Sequence, residues 1–387
     1  MSSRSDGTEF YFIQTMPMEE KRRSMGWAVD EKKIPYLILC YEDEERAKEL
    51  IENSDVVLFG WTEGLTADLE KKRLSSGKLS FRMSERIYRE GQWKVVSPRG
   101  LVNKYHEHFV YRKKPVYLLC TGAYVASDFN LIKSYPGKKL KWGYFPDADR
   151  GYKPDEASDS DSGMSKEYKS SKLRLCWAGR LIALKHPEFS VQLASHLKDA
   201  GRNFAIDIVG DGPLRESLEA EVKSLSLEDC VTFAGSLPPE QVLSYMDRAD
   251  IFLFTSNYLE GWGAVVNEAM ERSCAVVASL EAGAVPFLIK DGRNGLVYKK
   301  GSYADFERKV DYLFDHREKI ELYAKAARKT IKKLWNAQNA ASELVRFCSE
   351  FLDGKNPTPA KHGPMSAAKN IPAPGFMRTM QETNKLE

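Results

Sequence analysis

The sequence predicts an α/β protein with two doubly wound domains. Short apolar runs alternate with helix-compatible segments along most of the 387 residues, the pattern of parallel sheets covered by helices on both faces. A polar, acidic stretch at 151–170 interrupts this alternation. The length suits two domains of ordinary size with additional segments. We therefore expect Rossmann-like domains at 1–150 and 171–335, joined by a flexible linker at 151–170.

The first domain is predicted from six short apolar runs that are typical of buried strands. Helical stretches separate these runs, including one at Glu42–Asn53. The strands are expected at Phe10–Ile13, Tyr36–Cys40, Asp55–Gly60, Leu79–Phe81, Val116–Cys120 and Leu140–Phe145.

The second domain repeats the pattern, and a proline in the first turn favours a helix that opens at Pro213. Strands are expected at Leu173–Trp177, Phe204–Val209, Cys230–Phe233, Asp250–Thr255, Ala275–Ala278 and Leu296–Tyr298. Helices are expected between them at Pro187–Lys198, Pro213–Leu225 and Pro239–Arg248.

Three long helical segments close the chain at Tyr303–His316, Arg317–Leu334 and Ala337–Leu352. The remaining residues, 354–387, are rich in Pro, Ala, Lys and Gly. That composition predicts a disordered tail.

The composition indicates a globular protein, and no run of 18 apolar residues predicts a membrane span. The first residues are polar and do not resemble an apolar signal segment. Six scattered cysteines lack metal-type spacing and predict free thiols in a reducing, cytoplasmic compartment. Asp159-Ser160-Asp161 matches a D-x-D pattern with which some sugar transferases hold a divalent metal. Because it lies in low-complexity sequence and not at a strand end, we expect no metal site there.

The net charge of +3 hides an asymmetry in the first domain. Residues 71–141 contain 17 Lys and Arg against four acids, a net charge of +13. Such a stretch suits a phosphate-bearing partner or an anionic membrane surface, to which the protein would bind peripherally. An ordinary solvated basic face is an equally good interpretation. Nucleic acid is not expected, since no recognition motif accompanies the charge.

The most informative stretch is the loop that runs from Glu260 to Glu268 after a buried strand. Glycines allow the backbone to approach a ligand closely, and the amides at the start of the following helix would point at an anion. Carboxylates accept hydrogen bonds from hydroxyls. A carboxylate on each side of an anion site suits a ligand with central phosphates and a polyol at each end, such as a nucleotide-sugar.

Other loops at the carboxyl ends of the predicted strands fit the same ligand. Open α/β sheets bind ligands at that edge. Arg180 and Lys185 follow the first strand and could clamp a diphosphate. The remaining loops are Gly210-Asp211-Gly212-Pro213, Gly235 to Pro239, and Glu281-Ala282-Gly283.

Residues 172–300 resemble the nucleotide-sugar-binding domain of the retaining glycosyltransferases of family 4 (group 1), which have the GT-B fold. The matching segments are Gly179-Arg180 with Lys185-His-Pro, Val209-Gly-Asp-Gly-Pro213, Phe233-Ala-Gly-Ser-Leu237, Glu260-Gly-Trp-Gly with Glu268-Ala-Met, and Asp291-Gly-Arg-Asn-Gly295. The two glutamates eight positions apart are that family's most specific mark.

The resemblance implies roles for individual residues. Arg180 and Lys185 would neutralise the donor diphosphate beside Gly179 and Gly210. Glu268 would hold the ribose hydroxyls, and the segment around Leu237 would lie by the nucleobase. Glu260 would meet the transferred sugar and phosphates, together with the amides of Gly263, Ala264 and Val265. A crossover helix at 336–353 would pack back on the first domain.

The resemblance also implies an activity. The chain would transfer a sugar, with retention of configuration, from a nucleoside-diphosphate sugar to a hydroxyl acceptor in polysaccharide or glycolipid synthesis, and a lipid-linked acceptor is one interpretation. Arg180 and Lys185 supply the positive charge, so no metal or cofactor is expected. Two histidines, His106 and His108, could face the cleft, but a structural or exposed position is the more common case.

Two departures from the family pattern leave alternatives open. The family's first strand and its glycine loop should precede Phe10, where only nine residues stand. Phe287 occupies a position where the family often has Glu. A nucleotide-sugar-binding protein with little catalysis is therefore one alternative. A nucleotide-sugar epimerase is another, although the Glu260–Glu268 loop argues against it.

Overall fold

The computed structural model describes residues 7–18, 20, 31–60, 62–146, 172–299 and 301–374. The predicted linker with Asp159 and Asp161, and the end of the tail, lie outside these residues. Every strand pair of the described chain is parallel, as the alternating pattern predicts.

The first half forms a four-stranded sheet in the order β3-β4-β5-β6, and β1 pairs separately with β2. The strands are β1 (Phe12–Gln14), β2 (Leu37–Leu39), β3 (Val57–Phe59), β4 (Ser80–Ser84), β5 (Val116–Thr121) and β6 (Lys139–Trp142). The helices are α1 (Glu44–Asn53), α2 (Leu65–Ser75), α3 (Pro98–Glu107) and α4 (Val125–Leu131).

Local chemistry fixes where the helices of the first half begin. The Asp43 side chain accepts from the amide of Arg46 and caps α1. The Ser97 side chain accepts from the amide of Gly100, and Pro98 occupies the first turn of α3.

The second half forms a six-stranded sheet in the order β12-β11-β10-β7-β8-β9. The strands are β7 (Leu173–Ala178), β8 (Phe204–Val209), β9 (Val231–Gly235), β10 (Ile251–Phe254), β11 (Ala275–Ser279) and β12 (Leu296–Tyr298). The helices are α5 (Glu188–Asp199), α6 (Arg215–Ser224), α7 (Pro239–Arg248), α8 (Val265–Glu271), α9 (Val285–Leu288), α10 (Tyr303–Asp315), α11 (Arg317–Lys333) and α12 (Ala337–Leu352).

Helices bury both faces of the six-stranded sheet. Leu175 packs in a core cluster with residues of α5 and α10, whereas the next residue, Cys176, packs in a second cluster with residues of α7 and α8. Neither side chain is accessible to solvent. This explains why the central strands are continuous apolar runs in the sequence.

The end of the chain returns to the first sheet. Helix α12, which was predicted to cross back, places Phe347 against Phe81 and Tyr117. Beyond it, the amide of Lys141 donates to the carbonyl of Ser366, and Met365 is fully buried. The prediction of disorder from residue 354 onward is therefore wrong for this part, which lies on the edge of β6.

The two sheets meet through the loops at the carboxyl ends of their strands. The amide of Ala123, after β5, donates to the carbonyl of Gly283, after β11, over 2.9 Å. Tyr124 adds a hydrogen bond from its hydroxyl to the carbonyl of Leu280. Among the described helices, none is long and apolar enough to cross a membrane.

Candidate functional site

The strand order of the second sheet reverses between β7 and β10, and the predicted clamp and loop lie at this point. From β7 the chain continues to β8 and β9 on one side, whereas β10 leads to β11 and β12 on the other. The loops after β7 and β10 therefore diverge and leave a crevice between them, the usual ligand site of such sheets. Lys185 comes from one loop and Glu260 from the other.

The Nζ atom of Lys185 lies 2.6 Å from a carboxylate oxygen of Glu260. Each side chain is 18% exposed, so the ion pair is shielded but can be reached by a ligand. The hydroxyl of Ser256 lies 3.3 Å from the same oxygen of Glu260. The structure thus brings together two residues that the sequence separates by 75 positions.

Buried hydrogen bonds hold the Lys185 turn in place. The Thr255 hydroxyl donates to the carbonyl of Lys185 over 2.6 Å and accepts from the indole nitrogen of Trp177. The amide of Asn257 donates to the carbonyl of Leu184 over 2.8 Å. Sequence reasoning missed Thr255 and Asn257 as supports, because their role depends on which strands are neighbours.

The ends of β7, β8 and β9 approach one another through glycines. The amide of Gly179 donates to the carbonyl of Val209, and the amide of Gly210 donates to the carbonyl of Gly235. Gly210 has a φ of +135°, and a β-carbon there would overlap the carbonyl of Gly179. Glycine is therefore required at Gly210, and the floor of the crevice is backbone.

The loop after β10 also depends on a glycine. Gly263 has a φ of +94°, and a β-carbon there would overlap the ring of Phe254. Helix α8 begins two residues later. Within the described residues, the amides of Gly263, Ala264 and Val265 have no backbone acceptor. Three N–H donors at the start of α8 are thus available to an anion.

The second glutamate of the loop, Glu268, lies in α8 and is half-buried. Burial raises the pKa of Glu268 to about 7, although the nearby Arg272 acts in the opposite direction. The carboxyl group therefore exchanges its proton close to neutral pH.

The other predicted residues lie around the crevice. The Arg180 side chain is exposed, and no described side chain pairs with it. Leu237 is half-buried and packs against the apolar cluster on the α7 and α8 face of the sheet.

The first domain contributes residues that sequence reasoning missed. Glu85 follows β4, and a β-carbon on Gly261 would overlap its carboxylate. Glu85 also accepts from the hydroxyl of Tyr144 over 3.1 Å and pairs with Arg89. Its position directly after a parallel strand was the available signal, since such strand ends converge at one edge.

The two histidines are not part of the crevice. His106 is exposed on α3. His108 is buried, with Arg82 Nη1 and the Tyr135 hydroxyl 2.8 and 3.1 Å from its Nδ1 atom. Burial lowers the pKa of His108 to about 2, so the ring stays neutral and its role is structural.

Phe287 belongs to an aromatic cluster that joins the two halves. Its ring stacks on Trp335 at 5.6 Å and meets Trp262 edge-on at 6.2 Å. The Nζ atom of Lys141, from β6, lies over the Phe287 ring at 5.1 Å. Packing therefore accounts for Phe287 without a polar contact. Among the described residues, no group of three or more His, Cys, Asp and Glu side chains could hold a metal ion.

Comparison with known proteins finds relatives of the second domain. Residues 164–330 match the family model of the glycosyl transferases group 1, which confirms the resemblance to group 1 over this part of the chain. The chain is 30% identical over 176 residues to a 2-deoxystreptamine glucosyltransferase of Streptomyces kanamyceticus, covering 46% of this chain and 45% of that protein. It is 27% identical over 263 residues to the sulfoquinovosyl transferase SQD2 of Arabidopsis thaliana, covering 61% and 49%. The chain therefore spans slightly less than half the length of each of these two relatives.

Solved structures establish the fold. HepE of Anabaena in complex with UDP has a TM-score of 0.59 at 15% identity, over 80% of this chain and 81% of that one. Sucrose-phosphate synthase of Thermosynechococcus elongatus has a TM-score of 0.59 at 15% identity, over 83% and 82%. The predicted GT-B fold, with two Rossmann-like domains facing across a cleft, is confirmed.

Proposed function

We propose that this chain, with a group 1 glycosyltransferase domain at residues 164–330, transfers a sugar from a nucleoside-diphosphate sugar to a hydroxyl acceptor with retention of configuration. The observation that carries the proposal is the Lys185–Glu260 pair, held beside three free amides at the point where the strand order reverses. A cation, a carboxylate and fixed N–H donors within one crevice suit a diphosphate that is linked to a sugar.

The residues take the following roles. Arg180, Lys185 and the amides of 263–265 stabilise the negative charge that develops on the departing diphosphate. Glu260 accepts hydrogen bonds from the transferred sugar, and Glu268 accepts them from the ribose. The backbone at Gly179 and Gly210 lets the phosphates approach, and Leu237 offers an apolar contact to the base. With these cations present, we propose that transfer needs no metal.

The acceptor enters from the side of the first domain. Glu85, a carboxylate of that domain, reaches the Glu260 loop, and we propose that it orients the acceptor hydroxyl. The relatives include a GDP-mannose-dependent phosphatidylinositol monomannoside mannosyltransferase of Mycobacterium tuberculosis, whose name specifies a lipid acceptor. Synthesis of a glycolipid or polysaccharide at the cytoplasmic face of a membrane is the setting that we propose.

A ligand screen followed by a transfer assay tests the function. We expect one of the UDP-, GDP- or ADP-sugars to raise the melting temperature, because a ligand that binds the native state stabilises it. Arg180→Ala should weaken binding of the diphosphate-bearing ligand more than binding of the bare nucleoside. Lys223 is an exposed cation on α6, and Lys223→Ala should change neither affinity. EDTA should leave transfer unchanged.

The outcomes separate this function from the alternatives. Donor binding with neither sugar transfer nor donor hydrolysis would support a non-catalytic binding protein. Isomerisation of the donor without an acceptor would indicate an epimerase. Strong inhibition by EDTA would contradict the metal-independent mechanism and direct attention to Asp159 and Asp161.

A further inference from the structure

Helix α3 of the first domain lies on the surface. None of its ten residues is buried. Leu101, Val102 and Tyr105 are 42%, 57% and 50% exposed, and Val96 just before the helix is 75% exposed. A hollow of about 530 Å³, lined in part by Ile87 and Val96, lies beneath its start. A cluster of exposed apolar side chains on one short helix calls for a partner.

The sequence alone allowed the positive charge of 71–141 to form one continuous basic face. The structure does not place it in that way. Many of its cations are used within the protein. Arg73 donates to five backbone carbonyls, Arg86 forms a buried pair with Asp128, and Arg82 pairs with Glu70. Further cations pair with carboxylates, namely Lys71, Lys72, Arg89, Lys94 and Lys104.

The cations that remain are concentrated beside the apolar cluster. We call residues 94–114, which include α3, the α3 surface. It contains six Lys and Arg, two of which (Lys94 and Lys104) are paired, and a single acid, Glu107, for a net charge of +5 within this range. Arg99, Arg112, Lys113 and Lys114 form no ion pair within the described chain. Arg99 and Lys113 are exposed.

We propose that the α3 surface docks on an anionic lipid bilayer, with α3 lying in the plane of the interface. Leu101, Val102 and Tyr105 enter the acyl boundary, and Arg99 and Lys113 meet the lipid phosphates. Helices of this kind bind through buried apolar area and attraction to anionic lipids together. The docking is independent of sugar transfer.

The charge of the surface favours a bilayer over a second copy of the chain. In a symmetric dimer through α3, each surface of net charge +5 would face another of the same charge. Like charges at an interface disfavour association, whereas a membrane supplies the opposite sign over an extended area.

Vesicle flotation of the full chain tests the proposal with two matched pairs of variants. The vesicles are phosphatidylcholine alone, or equal parts of phosphatidylcholine and phosphatidylglycerol. Arg99→Ala with Lys113→Ala should weaken binding to the anionic vesicles about thirtyfold at low salt, since each surface cation contributes about fivefold. Lys223→Ala with Arg293→Ala, two exposed cations of the second domain, is the control and should bind like the wild type.

The apolar contribution has its own control. Leu101→Ser with Val102→Ser should lower binding roughly tenfold. Leu225→Ser with Leu322→Ser changes two residues of the second domain with similar exposure, 42% and 53%, and should have no effect. Melting curves verify that every variant folds.

Three results would overturn the proposal. They are equal binding to neutral and anionic vesicles, equal loss in the α3 and control variants, and concentration-dependent dimers that the α3 substitutions abolish. Transfer to a soluble acceptor, measured on the same variants, keeps this test separate from that of the proposed function, because the α3 substitutions should leave it unchanged.

Discussion

The ammonium group of Lys185 and the carboxylate of Glu260 form a 2.6 Å ion pair that joins the loops after β7 and β10. Each residue is the other's charge partner across the crevice. In the proposed reaction, a diphosphate bound by Lys185 would compete with Glu260 for the ammonium group and would leave the carboxylate available to the sugar. The pair would then couple phosphate binding to the placement of the carboxylate.

Removing the charge of Glu260 should impair catalysis more than folding. In Glu260→Gln, the amide still accepts one hydrogen bond, but the negative charge near the transferred sugar is lost. We expect turnover to fall at least tenfold, by analogy with a lost transition-state contact. Unfolding should become easier by about 1 kcal/mol, since the ion pair is only partly shielded. Steady-state kinetics and urea unfolding measure the two effects.

A second ion pair serves as the control for Glu260. Lys198 and Asp229 lie 2.8 Å apart on the exposed surface of the second domain. Asp229→Asn removes the same type of charge away from the crevice and should leave turnover unchanged. Wild-type turnover in Glu260→Gln would show that its charge is not used in the reaction.

Glu268 should make both stability and donor affinity depend on pH near neutrality. Its pKa is raised from 4.5 to about 7. Between these values the native state keeps a proton that the unfolded chain has lost, so this group's contribution to the free energy of unfolding decreases as pH rises. The carboxylate accepts ribose hydroxyls better than the neutral acid does, so donor affinity should rise through pH 7.

The comparison with Glu268→Gln isolates this effect. The stability of the wild type relative to the variant should be greater at pH 5.5 than at pH 8, and only the wild type should gain donor affinity over that interval. A nucleoside-diphosphate sugar is the suitable ligand, because its phosphates do not titrate there. Parallel pH profiles for the two proteins would show that Glu268 does not titrate in this range.

The sequence predicted the strands well and the contacts between them poorly. Buried parallel strands are continuous apolar runs, so Ile251–Phe254 stood out without any structural information. The clustering of the predicted loops followed from the common edge where parallel strands end. The Lys185–Glu260 pair could not be derived, because it depends on β7 and β10 being neighbours.

The errors have a common physical origin. Pro- and Ala-rich composition predicts disorder, yet Met365 finds an apolar site beside β6 that the local sequence does not encode. The basic stretch was treated as one surface, although cations such as Arg73 are buried inside the fold and donate to backbone carbonyls. Composition predicts the behaviour of a segment in isolation, whereas tertiary contacts determine whether it is ordered and which of its charges are exposed.

Asp128 should be a strong determinant of the stability of the first domain. Its carboxylate is completely buried and accepts from Arg86, from the Tyr88 amide and from Gln92. Asp128→Ala leaves the Arg86 cation buried without its partner, so we expect a loss of about 3–5 kcal/mol in the free energy of unfolding. Removing one partner of the exposed Lys71–Asp68 pair should change the free energy of unfolding far less, because solvent screens that pair. Equal, small losses in urea unfolding would contradict the importance of the buried network.

Gly283 should be required for activity because it lies where the two domains meet. A β-carbon there would overlap the carbonyl of Gly261 and come within 3.1 Å of the Cα atom of Gly122 in the first domain. Both obstacles are backbone, so Gly283→Ala must displace the Glu260 loop or separate the domains. We expect turnover to fall at least tenfold and the free energy of unfolding to fall by about 1–3 kcal/mol, the range for an overpacked contact.

Donor affinity should change less than turnover in Gly283→Ala, since the residues that we propose for the diphosphate and the base, Arg180 and Leu237, lie on the loops after β7 and β9. Gly100→Ala is the matched control: its φ is unexceptional, and its β-carbon would stand 3.4 Å from Ser97, an ordinary contact. That variant should keep its turnover and gain stability slightly within α3. Wild-type kinetics and stability in Gly283→Ala would mean that the loops around Gly122 and Gly261 separate at no cost, and that their close contact does not position Glu260.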